Sequence, residues 1–85
     1  MKKLDKHAKI RMLWSAFMAD RNLACGVLEI LEELRPDFER AGACMEDFDR
    51  LLMQCEGKFA MYDAQVSQFE KLAEPIVGKI NAFEG

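Results

Sequence analysis

Fourteen apolar residues follow one another at alternating steps of three and four: Phe38, Ala41, Met45, Phe48, Leu52, Cys55, Phe59, Tyr62, Val66, Phe69, Ala73, Ile76, Ile80 and Phe83. A repeat of two apolar positions in every seven, kept without a miss, belongs to a helix that packs along its length against other helices. Five of the six Phe residues and the only Tyr stand on this seam. Its packed part is expected to be Phe38, Met45, Phe48, Leu52, Phe59, Tyr62, Val66 and Phe69. The fold class that follows is all-α: a long antiparallel helical hairpin, coiled-coil-like, with its core completed by oligomerisation.

Nothing in the composition competes with helix. The β-branched residues are three Val, four Ile and no Thr, too few to build a sheet. Eighty-five residues form a single domain at most, and a chain this short buries only roughly 60 to 65 per cent of its unfolded surface. No uncharged apolar run reaches the ~18 residues a membrane span requires. Charges at Asp5, Lys6, Lys9 and Arg11 break up any apolar signal-peptide core. Three Cys with no CxxC pair suit a reducing compartment. A cytoplasmic protein is the expectation.

The first helix is expected over about residues 4–34, with apolar positions Ile10, Leu13, Trp14, Phe17, Ala24, Val27, Leu28, Leu31 and Leu34. Met12, Ala16, Ala19, Leu23 and Ile30 widen that stripe beyond what one partner helix covers. Asp20 and Arg21 interrupt its middle. With no Gly or Pro there, a continuous helix is favoured over a break capped by Asp20. Arg35 and Pro36 predict a turn at 35–37, because the residue before proline is pushed out of the α region. A second helix over about 38–73 and a short helical segment over about 75–83, beyond Pro75, complete the single domain. Within that second helix, Gly42 could also mark a short first turn followed by a restart near Met45.

Charge is unevenly placed. Residues 1–21 carry six basic and two acidic side chains, whereas the rest carry six basic and thirteen acidic, within a net charge of −3. Beside the seam, one heptad column reads Asp49, Glu56, Asp63, Glu70. A turn at Pro36 would set Lys2, Lys3, Lys6 and Lys9 near Asp63, Glu70 and Glu74, fixing the antiparallel orientation rather than adding much stability.

Chemistry-bearing motifs are sparse. The same turn would bring Cys25 near Cys44, but His7 lies far off and no ligand spacing accompanies them, so structural thiols and no metal or cofactor are expected. No phosphate loop, nucleophile motif or paired carboxylates point to catalysis. Two surfaces remain as candidate partner-binding sites. One is an acidic tip at the predicted turn, made of Glu32, Glu33, Asp37, Glu39, Glu46, Asp47 and Asp49, flanked by Glu29. The other is Met53 with Met61 on the outer side of the second helix. The function expected is that of a non-enzymatic protein-interaction module, such as a small inhibitor, adaptor or chaperone-like protein, which forms a dimer or larger oligomer. The alternatives are a nucleic-acid binder using the basic N-terminal helix with Trp14 and Phe17, and a structural component of an oligomeric assembly.

Overall fold

A computed structural model describes residues 5–78 of the chain, which form two α-helices packed antiparallel: α1, Lys6–Arg40, and α2, Met45–Val77. Asp5 caps α1, its carboxylate accepting a hydrogen bond from the Ala8 N–H at 2.7 Å. The helix runs unbroken through Asp20 and Arg21, as the lack of a turn signal there predicts.

The turn lies at 41–44 and not at 35–37, because α1 continues through Pro36 to Arg40. Two physical facts decide between these sites. Pro36 removes one backbone donor, but Pro36 and Glu32 are both exposed, so the carbonyl left without its bond faces water. Gly42 takes φ of 81°, which only glycine adopts at little cost, and completes a Schellman motif. Its N–H donates to the Glu39 carbonyl at 3.1 Å, and the Ala43 N–H reaches back to the Phe38 carbonyl at 3.0 Å. Proline could be tolerated inside the helix, whereas glycine stops it. Pro75 is likewise inside α2, which continues to Val77 and ends at Gly78, with φ of 76°. The expected segment 75–83 is thus a continuation of α2 as far as Val77; Ile80 and Phe83 lie outside the described residues.

Glycine substitutions should separate these roles. Gly42→Ala is expected to cost about 1–2 kcal/mol through its left-handed backbone. Gly57 sits in the exposed interior of α2, where an added Cβ meets nothing within 4 Å, so Gly57→Ala should stabilise by about 0.5–1 kcal/mol. Thermal melts of the two variants check both signs.

Along α2 the seam is where the sequence places it. From Met45 to Ala73 all its residues are buried or half-buried, with Phe48, Val66 and Ala73 the most enclosed. Phe38 instead ends α1 and packs on Phe48, ring centroids 5.4 Å apart. Ile76 is exposed. At the open end, Trp14 covers Ala73, with Ile10, Met18, Phe69 and Val77 around the pair. Phe17 tilts against Phe69 at 5.3 Å.

The molecule is an elongated rod of 54 × 27 × 24 Å with a radius of gyration of 17.8 Å. A compact 85-residue domain would have a radius near 12 Å. Length is gained at the expense of burial: Trp14, Phe48, Val66 and Ala73 are the buried hydrophobics among the described residues.

Candidate docking surface

Three contacts across the hairpin share one arithmetic. The Trp14 indole N–H donates to Glu70 Oε2 at 2.9 Å, Arg21 Nη1 pairs with Asp63 at 3.3 Å and Arg35 Nη1 with Asp49 at 2.5 Å. In each pair the two residue numbers add to 84. Asp63, Glu70 and Asp49 all belong to the acidic heptad column, and their partners stand at multiples of seven along α1. By the same register Glu56, the remaining acid, falls opposite Leu28.

This register corrects the charge pairing expected from a turn at Pro36. Asp63 engages Arg21 and Glu70 engages Trp14, and neither acid pairs with Lys6 or Lys9. Cys25 is opposite Phe59 and hydrogen-bonds Glu29 at 3.7 Å, while Cys44 caps α2 at the turn. Cys25 lies sixteen positions before the turn at Ala41, about 24 Å along the helix at 1.5 Å per residue, so the two thiols are not neighbours.

The inner face of α1 also differs from the expected stripe. It runs through Ile10, Trp14, Phe17, Arg21, Ala24, Leu28, Leu31 and Arg35, again at steps of four and three, and all of these are buried or half-buried. Both arginines at seam positions keep their aliphatic stems inward and their heads at the column of acids. Arg35 also lies over the Phe48 ring, 5.5 Å from its centroid. The Arg35 hydrogen bond holds the Asp49 carboxyl below the ordinary carboxylate range, and Asp49 in turn raises Arg35.

Turning the inner face toward α2 leaves a second apolar one outward. Leu13, Ala16, Asp20, Leu23, Val27, Ile30 and Leu34 form a second stripe on α1 at steps of three and four, all of them exposed. Leu23 is 72% and Ile30 57% exposed. Beside this stripe, a groove between the helices is lined by Asp20, Leu23, Ala24 and Val27 from α1 and by Cys55, Lys58 and Tyr62 from α2. Leu51 and Leu72, both exposed, continue the same flank of α2 toward its two ends. The acidic column lies on the other flank. The hairpin is therefore two-sided, apolar on one flank of the seam and charged on the opposite one.

The sites proposed from sequence fare unevenly. Glu32, Glu33, Asp37, Glu39, Glu46, Asp47 and Asp49 are all exposed around the turn, as an acidic tip requires. Arginines offset part of it: Asp37 pairs with Arg40, Asp47 with Arg50 at 3.1 Å, and Asp49 with Arg35. Met53 and Met61 are both exposed on α2. Lys6, Lys9 and Arg11 are exposed on α1; Lys2 and Lys3 lie outside the described residues. The outer stripe of α1 is the surface missed as a unit. Its signal was present, since Leu13, Leu23, Val27, Ile30 and Leu34 keep a heptad phase of their own.

Among the described residues no helix is long and apolar enough to cross a membrane, and no three His, Cys, Asp or Glu side chains gather as a metal site. Comparison of the chain with protein-family models, curated proteins and solved structures finds no match.

Proposed function

We propose that the chain is a non-enzymatic protein-interaction module that binds through the outer apolar stripe of α1 and the groove beside it. The observation that carries this reading is a second apolar face on α1 that the hairpin leaves uncovered. The helix spends its two seam arginines on the intramolecular interface and leaves Leu13, Leu23, Val27, Ile30 and Leu34 to solvent. A continuous apolar helical face of this length is the surface onto which a further helix docks. The seam of α2 is occupied within the hairpin, so it supports the platform without itself meeting a partner.

The acidic flank and tip supply long-range attraction for a basic partner surface, which speeds encounter more than it adds affinity. Inhibitors, adaptors and chaperone-like proteins share this design of rigid helical platform and exposed apolar face.

The test is the double variant Leu23→Asp with Ile30→Asp. Both positions are exposed in the hairpin, so circular dichroism should keep its helical signal. Association should be lost, read both as native mass and as retention of proteins on the immobilised chain. Association unchanged by either measure would sink the reading.

A further inference from the structure

We infer that the outer face of α1 is covered by a second copy of this chain, related by a two-fold axis through the midpoint of the stripe, between Leu23 and Ala24. The inference rests on the reading of that face as a docking surface and names its occupant. Three observations support it.

Area is the first. The chain has a mass of 9.8 kDa and exposes 6538 Å², whereas a compact monomer of that mass exposes roughly 5,200 Å². The excess, about 1,300 Å², accommodates the ~800 Å² per partner that a standard interface buries.

The second is charge. The stripe holds one charged residue, Asp20, and the groove holds one cation, Lys58. Neither has an ionic partner among the described residues. Within one hairpin they are displaced along the groove: the register sets Lys58 opposite Gly26, six residues along α1 from Asp20. A two-fold axis between Leu23 and Ala24 carries position 20 onto position 27 of the other chain. Asp20 then meets the partner's Lys58, and Lys58 meets the partner's Asp20, two ion pairs from one operation. An isologous interface requires this self-complementarity, and a foreign helix would have to supply a cation and an anion at the matching interval.

The third is size. The same axis sets Leu13 against the partner's Leu34, brings the small Ala16 within one position of the partner's large Ile30, and places Leu23 next to its own copy. Large against small across facing positions lets two helices close without voids. The result is a four-helix arrangement with both acidic flanks outward.

Sedimentation equilibrium of the full chain in reducing buffer tests the inference. A mass of two chains is expected, falling to one in the Leu23→Asp, Ile30→Asp variant with helix content retained. Asp20→Lys and Lys58→Asp should each raise the dimer dissociation constant about tenfold or more by setting like charges face to face. The Asp20→Lys, Lys58→Asp double variant should recover most of that loss, a rescue that neither general destabilisation nor a different interface would give. A wild-type monomer, or a dimer indifferent to these four substitutions, overturns the inference. The two claims fail separately. A monomer that retains proteins through Leu23 and Ile30 keeps the docking surface and discards the second copy, whereas a monomer that retains none discards both.

Discussion

Trp14→Ala is expected to cost about 3–5 kcal/mol, the range for emptying an aromatic core site. Trp14 is 5% exposed and covers Ala73 at the open end of the hairpin, where no covalent turn holds the helices together. A domain of 85 residues has roughly 4–13 kcal/mol of stability in all, so this loss would bring a weak hairpin close to unfolding. Trp14→Phe separates the two contributions. It keeps most of the ring and removes the N–H that Glu70 accepts, and losing a hydrogen bond to a charged group costs about 1.5–3 kcal/mol. Urea midpoints for both variants provide the check. A Trp14→Ala loss below about 1 kcal/mol would mean that the Trp14 and Ala73 cluster does not close the open end.

Val66→Asp is expected to abolish the folded state at 25 °C. Val66 is 3% exposed on the inner face of α2, and the register that pairs Arg21 with Asp63 sets it opposite Met18, while the Arg21 head is already held by Asp63. An ionised carboxylate there would be buried without a partner, at several kcal/mol or more. The neighbouring Ser67→Asp is the control: Ser67 is exposed, and the change should move stability by no more than about 0.5 kcal/mol. Circular dichroism and a urea titration of the pair measure the contrast. Two folded variants of equal stability would show that Val66 does not face the interior.

The two helices were not equally legible in the sequence. In α2 every seam position from Met45 to Ala73 is apolar and the acids fall in a column beside it, so period and face can be read together. In α1 the inner positions include Arg21 and Arg35, while an outer stripe carries as many apolar residues, interrupted only by Asp20. A reading that assigns apolar residues to the core therefore rotates this helix toward Leu13, Val27 and Leu34. The buried stems of the arginines and the acids that receive their heads became visible only with the register.

The turn was missed for a related reason. Pro36 is a strong local signal, but its cost falls on a solvent-facing carbonyl and is offset by contacts beyond it: Phe38 on Phe48 and Arg35 on Asp49 both require the helix to continue. Gly42 carries the weaker signal and the decisive geometry. A six-residue displacement of the boundary, from 36 to 42, moved every cross-hairpin pairing by twelve in the sum of residue numbers. That one error accounts for both the misplaced lysines and the misplaced Cys25 and Cys44 pair.

The acidic column, finally, says less about alignment than its regularity suggests. Slide α2 by one heptad and Arg21 meets Glu70 while Arg35 meets Glu56, so the same two cations are still answered. A pattern that repeats every seven residues encodes orientation but not address, much as a ruler marked only with identical ticks gives direction and no zero. The zero comes from features that occur once: the glycine-terminated turn at 42, and the single largest side chain, Trp14, resting on one of the smallest, Ala73. Alignment information is thus concentrated at the two ends of the rod, and the uniform stretch between them only transmits it.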